Sequence, residues 1–198
     1  MTLSRMRASI YWRYRLAVTK VRGRPMVSIG KRTIVGRGVT LINSECISIG
    51  ADCVIGKDCH LQAVRSFAGR QFSPELTIGD RVSMEDGVYV SCVKSLRICD
   101  SVLIAGNVYI GDNAHGYRDI TLPVRDQEVA AYSLVIGPGV HIGWGAVIFG
   151  PIEIGRNAVV GANSVVTKDV APFTVVAGAP ARVVSQYDGE VGIWRRPS

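Results

Sequence analysis

Aliphatic residues recur at every sixth position over most of this chain. They begin as Ile29, Val35, Leu41, then Ile49, Ile55, Leu61, then Ile78, Met84, Val90, then Ile98, Ile104, Ile110. The last block is unbroken: Ile136, Ile142, Ile148, Ile154, Val160, Val166. Ile, Leu, Val and Met make up 59 of the 198 residues, so composition alone would fill about five or six of these eighteen positions. A helix needs a period of 3.6 and a simple amphipathic strand a period of 2, so neither explains a period of six. A short strand followed by a corner does. Three such units close a triangular coil, and stacked coils form a β-solenoid with the aliphatic residues inside. Gly follows the aliphatic position ten times, as at Gly30, Gly50, Gly137 and Gly155, which suits the dihedrals of a corner. A small or β-branched residue follows three positions later, as at Cys53, Cys59, Val82, Ala146 and Ser164, where the section is narrow.

Composition narrows the class further. A chain of 198 residues with 47% hydrophobic and 20% charged side chains is a single ordered domain rather than a disordered tail. Five cysteines, with no Cys-x-x-Cys spacing, suggest neither a disulfide framework nor a zinc site. No secretory leader pattern is visible at the N-terminus, so a cytoplasmic chain is expected. The net charge of +7 is unevenly placed: residues 1–44 hold ten Lys or Arg and no acid, leaving 13 bases against 16 acids elsewhere. A basic stripe confined to one end argues against a nucleic-acid-binding fold. It points instead to a local anionic partner such as the inner face of a membrane, touched peripherally through residues 3–24.

The interruptions divide the chain. Residues 1–28 read as a basic segment with a short amphipathic helix, its apolar stripe being Leu3, Met6, Ile10, Tyr14, Ala17 and Val21. The alternative is a cap over the first coil. Residues 29–171 read as the coil, with loops near 67–77 and 116–135. Residues 172–198 read as a C-terminal extension, because Pro172 and Pro180 break the period. Loops of this length on a solenoid carry function more often than not.

Three histidines are present. His60 and His141 fall on outward positions of their hexapeptides and read as surface residues. His115 closes the fourth coil and opens the long loop, at Asp112-Asn113-Ala114-His115-Gly116-Tyr117. A solenoid wall makes no deep pocket alone, so a cleft must come from a loop or a neighbouring subunit. A histidine at that junction suits general-base work.

The pattern [LIV]-Gly-x-x-small-x resembles the hexapeptide repeat of bacterial transferases that fold as a left-handed parallel β-helix. From Ile98 to Val184 the chain is similar to the sugar O-acetyltransferases of that family. The segment Ile104 to Ile110 with Asp112 to Tyr117 is nearest to those acting on O-antigen, colanic acid and capsule sugars. Those read Asp-His-x-His-Gly-Tyr, where this chain has Asn113 and then His115. The resemblance implies a homotrimer using acetyl-CoA without a metal, with His115 as the base. It implies an acceptor that is a sugar or lipid-linked saccharide, and cytoplasmic work in polysaccharide biosynthesis. The runs Ile154–Asp169 (IGRNAVVGANSVVTKD) and Ala177–Val184 carry its implied acetyl-CoA contacts: Trp144, Ala162, Thr167, Lys168 and Arg182. Lys168 and Arg182 suit phosphate groups. The family has Trp at position 141 and a small residue at 144, so the aromatic stands three residues later here. Acceptor contacts are implied at Glu85, Asp86 and Asn107, and the family's polar residue at 93 is Val93. A carboxylate would orient the imidazole, with Asp112 and Glu128 as candidates.

Other readings share the fold. An N-acyltransferase acting on a nucleotide-linked amino sugar is the nearest rival. A non-enzymatic scaffold would leave His115, Lys168 and Arg182 unexplained. The γ-type carbonic anhydrases hold zinc through histidines with four residues between them, but Ile120 occupies the place of a partner to His115.

Overall fold

The computed structural model describes residues 28–196; the basic segment and its expected helix lie outside them. The described residues form a left-handed parallel β-helix of three faces. Two short 3-10 turns, Ser44–Cys46 and Val124–Asp126, are the helical segments among them.

The eighteen aliphatic positions become three columns. On the first face Ile29, Ile49, Ile78, Ile98, Ile136 and Ile154 stand in register, one per coil. The second face stacks Val35, Ile55, Met84, Ile104, Ile142 and Val160. The third stacks Leu41, Leu61, Val90, Ile110, Ile148 and Val166. From the second coil on, the column residues are buried, each worth roughly 1.5–3 kcal/mol of transfer free energy. Cys53, Cys59 and Cys92 fill the interior with them. Burial pushes the Cys53 and Cys59 thiols up, and they donate to backbone carbonyls at 3.1 Å. They are core, not nucleophiles.

The glycines after the aliphatic residues are there for a different reason from the one the repeat suggests. Their φ angles are not left-handed; the positive φ falls two residues later, at Arg32, Asp52, Arg81, Asn157 and Asn163. A Cβ at Gly50 would instead sit 2.5 Å from the Gly79 carbonyl carbon in the next coil, and one at Gly155 2.4 Å from the Pro172 nitrogen. Coils stacked at the parallel-strand spacing leave no room for a methyl group there.

The coil also extends beyond the boundary expected at 171. Thr174–Ala177 still pairs in parallel with the second face, Val175 beside Val159. Proline at 172 is tolerated because it lies in the corner, where no ladder bond is needed. Only then does the chain reverse. Arg182–Asp188 returns antiparallel on Thr174–Ala177, and Ile193–Arg195 pairs outside it.

Both long interruptions leave the same corner, between the third face and the first. Ser66–Phe67 pairs with Arg70–Gln71 as a tight hairpin. Asn113–His115 pairs antiparallel with Val129–Ala131 as the stem of the longer loop.

Candidate active site

His115 ends the first strand of the longer hairpin, opposite Val129. Its ring meets Phe67 of the other hairpin edge to face, with centroids 5.1 Å apart. Arg70 and Glu128 join the two hairpins by an exposed ion pair. Gly116 N–H donates to the Glu128 carbonyl at 2.8 Å and continues the stem. Beyond it, the Gln127 amide donates to the carbonyls of Asp119 (2.8 Å) and Leu122 (3.0 Å) and accepts from Asp119 N–H (3.1 Å). One side chain thus organises the outer loop. Thr121 also donates to the Asp119 carboxylate through both its hydroxyl and its N–H, which holds that carboxyl below its usual range.

Neither carboxylate candidate orients the imidazole. Asp112 is fully buried. Its oxygens accept from the N–H groups of Val93 (2.6 Å), Lys94 (2.8 Å) and Ser95 (2.9 Å). It therefore secures the corner from which the hairpin springs, one coil below. Glu128 is given to Arg70. Asn113, standing where the family has a histidine, donates to the Ser91 carbonyl and hydroxyl, both at 3.2 Å.

Two clefts share His115. One, of about 370 Å³, lies against the third face and includes Gln62, Phe67, Tyr89, Ser91, Tyr109 and Asn113 in its lining. The other, of about 810 Å³, lies under the longer loop and includes Arg70, Arg118, Asp119, Asp126, Glu128 and Tyr132. His60, expected as an exposed surface residue, is half-buried in an aromatic stack on the outer side of the third face. Its ring lies on Tyr89 at 4.5 Å, and Tyr89 on Tyr109 at 5.8 Å. Burial, then Tyr89 and Asp112, push the Tyr109 phenol up.

The remaining residues expected from sequence separate into groups. Glu85, Asp86, Asn107, Trp144 and Ala162 sit at the corner between the second and third faces, across the third face from His115. Glu85 accepts from Gly106 N–H at 2.9 Å and Asp86 from Lys57 N–H at 2.7 Å. Both thus tie coil to coil. Asn107 takes the left-handed conformation of the turn. Trp144 is half exposed, stacked beside Gly106 of the coil below. Thr167 and Lys168 are exposed on the same edge as His115, further along the axis, and Arg182 is exposed where the chain reverses. Phe67, Tyr89 and Tyr109 escaped sequence reasoning. A signal existed for two of them: His60, Tyr89 and Tyr109 each precede a column residue of the third face, so they stack on its outer side. Phe67 had none, since its approach to His115 depends on two hairpins sharing a corner. Among the described residues no cluster of His, Cys, Asp or Glu could hold a metal ion, and no helix is long and apolar enough to cross a membrane.

Residues 133–168 match the model of the hexapeptide repeat of succinyl-transferase. The chain is 31% identical over 177 residues to a protein of Mycobacterium tuberculosis named as a probable acetyltransferase, covering 88% of this chain and 55% of that protein. It is 32% identical over 124 residues to an Escherichia coli protein named for lipopolysaccharide biosynthesis O-acetyl transfer, covering 59% and 63%. It thus spans a little over half the length of these curated relatives. A hexapeptide-repeat acetyltransferase of Vibrio cholerae, solved with acetyl coenzyme A, superposes with a TM-score of 0.56 at 28% identity, covering 75% of this chain and 70% of that one. A variant of the Bacillus cereus N-acyltransferase AntD, solved with dTDP and coenzyme A, shares the fold at a TM-score of 0.71 and 17% identity, covering 96% and 92%. With its repeat columns, its coil and these relatives, the chain belongs to the hexapeptide-repeat acetyltransferase family.

Proposed function

We propose that this protein transfers an acetyl group from acetyl-CoA to a hydroxyl of a saccharide, with His115 as the general base. The observation that carries the reading is the position of His115 at the meeting of two clefts, held by two hairpins that leave one corner of the coil. A base placed between two cavities can serve a reaction between two bound substrates. His115 takes the proton of the acceptor hydroxyl as its oxygen attacks the thioester carbonyl carbon. A backbone N–H holds the tetrahedral oxyanion. The carbon–sulfur bond then breaks, and the imidazolium returns its proton to the leaving thiolate. No acyl-enzyme is required: Cys53, Cys59 and Cys92 are buried, and the half-buried Cys46 and Cys99 line neither cleft beside His115.

Acetyl-CoA as donor is supported by the Vibrio cholerae structure, which holds it, and by the names of both relatives. Trp144, Ala162, Thr167, Lys168 and Arg182 are the contacts the resemblance offers; Lys168 and Arg182 are exposed cations suited to its phosphates. A single protomer divides these residues between two edges of the coil. A homotrimer, in which one edge of each copy meets the other edge of its neighbour, would reunite them with His115. The O-acetyl relative supports a role in surface polysaccharide biosynthesis.

Replacement His115→Ala is expected to lower turnover by at least about 10²-fold while acetyl-CoA binding is retained. Equal loss of coenzyme affinity would make His115 structural, and full activity would end the assignment. Mild base, which cleaves esters and spares amides, tells O-acetyl from N-acetyl product.

A further inference from the structure

A general base must hold one ring nitrogen toward the proton it takes. The imidazole torsion is broad and roughly two-fold, so nothing within His115 itself fixes the plane of its ring. A carboxylate on the far ring nitrogen is a common device for doing so. Here Asp112 is given to the backbone N–H groups of the corner and Glu128 to Arg70. Among the described residues, the ring that meets His115 is that of Phe67. We propose that Phe67 is the positioning residue of the base: carried on a tight hairpin, its ring sets the plane of the His115 imidazole in place of a carboxylate. The proposal rests on the transferase reading above and adds the group that aims its base.

Three observations carry it. The first is the contact. The two rings stand 5.1 Å apart at 65°, within the edge-to-face range that aromatic rings prefer. Both residues line the cleft against the third face, so the plane of the imidazole decides which of its nitrogens that cleft receives.

The second is the hairpin. Ser66 pairs with Gln71 and Phe67 with Arg70, which leaves Ala68 and Gly69 as a two-residue turn. Their φ angles are +46° and +77°, as a type I′ turn requires. Glycine takes such angles freely, whereas Ala68 is held where side chains are disfavoured. Strain of this kind gathers at functional sites, where the surroundings fix it. A Cβ at Gly69 would meet nothing within 4 Å, so no crowding at the tip forces the short turn. At its base, Phe72 N–H donates to the Arg65 carbonyl at 2.8 Å.

The third is the tie between hairpins. Phe67 and Arg70 are cross-strand partners, so their side chains leave the same side of the hairpin. Phe67 meets His115, and Arg70 pairs with Glu128, the neighbour of Val129, which is the strand partner of His115. An exposed ion pair adds little stability. Its effect here is to fix the distance between the two hairpins, and so between the two rings. Phe67 itself is half-buried and lies outside the hydrophobic core, so the coil does not depend on it.

The test uses the full chain and reads the imidazole by its chemistry and by its spectrum. Transfer is followed as thiol released from acetyl-CoA, with the methyl glycosides of glucose, galactose, mannose and rhamnose as acceptors and with water alone. Phe67→Ala is expected to lower kcat by about 10- to 100-fold, the scale of a misplaced catalytic group, with the KM for acetyl-CoA and the urea midpoint unchanged. Phe67→Tyr, which keeps the ring, should restore most of the rate. In a His115→Ala background, Phe67→Ala should lower the rate no further, because groups that act as a unit are not additive. The His115 Cε1–H NMR signal, identified by its loss in His115→Ala, lies in the ring current of Phe67. It should move in Phe67→Ala and hold in Phe67→Tyr. An unchanged kcat would mean that another group aims the ring, and would overturn the proposal. A fall that persists without His115, or a raised KM at constant kcat, would make Phe67 a wall of the cleft and overturn it equally. If no acceptor draws thiol from acetyl-CoA at a His115-dependent rate, the transferase reading falls and the spectrum decides alone. A His115 signal that answers to Phe67→Ala then keeps Phe67 as the residue that sets the ring, and an unmoved signal overturns it.

Discussion

Asp112 and His115 are three residues apart and do opposite work. The Asp112 carboxylate, fully buried, accepts from three consecutive backbone N–H groups, Val93 to Ser95. Removing it strands those donors away from water, at a cost of about 1–3 kcal/mol for an unsatisfied buried group. Asp112→Ala is therefore expected to destabilise the protein by about 3 kcal/mol or more, read as a lower urea midpoint. It should impair activity through the fold, whereas His115→Ala should leave the midpoint within about 0.5 kcal/mol, since His115 is exposed. An unchanged midpoint for Asp112→Ala would mean that the corner does not depend on the carboxylate. Sequence alone made Asp112 a candidate for orienting the imidazole. It lies next to the loop and carries the needed chemistry, and nothing in the order of residues says that its side chain points into the coil.

At the scale of the element, the two hairpins are the parts of the coil that are not repeat. Their strands are short, and each stands on the solenoid by one stem. The longer loop gains its order from within, through the buried Gln127 amide and its three hydrogen bonds across residues 119–122. Gln127→Ala is expected to remove amide-exchange protection at Asp119 and lower transfer activity, because this loop lines one of the two His115 clefts. Global stability should move by less than about 1 kcal/mol, since the loop adds nothing to the aliphatic columns. Unaltered exchange at Asp119 would show that the loop is ordered by other contacts. The presence and length of the two excursions were legible in the broken period. Their meeting was not. The contact of Phe67 with His115 and the pairing of Arg70 with Glu128 join residues of different coils. Only the shared corner brings them together.

The whole molecule divides its charge. Ten Lys or Arg lie in residues 1–44 without an acid, and the remaining residues are net negative by three, 13 bases against 16 acids. Such a dipolar chain would hold its coil away from an anionic surface while the basic end binds it, at about 1 kcal/mol for each base near the surface. Full-length protein is expected to sediment with phosphatidylserine-containing vesicles at low salt and to be released as salt is raised. Deletion of residues 1–24 should abolish the association and leave activity intact. Failure of the full-length chain to bind at low salt would exclude the membrane role; aggregation after deletion would favour the cap.

The period of six was enough to determine the class of fold. An inward residue every sixth position fills one column per face, and any other arrangement would expose it. The same logic made Cys53 and Cys59 core, and made the breaks in the period excursions from the coil. It also put Gly in the right places for the wrong reason. The repeat suggested dihedral freedom, but the constraint at Gly50 and Gly155 is the backbone of the next coil, 2.5 and 2.4 Å from where a Cβ would stand. That constraint is a property of stacking and cannot be read from one coil. The same holds for the boundary at Pro172 and for the candidate site. One corner of the coil carries His115, and the opposite corner of the same face carries Glu85, Asp86 and Asn107. Sequence determines which residues each hexapeptide turns outward. The stacking of coils, and the corner from which each loop departs, decide which of them can meet.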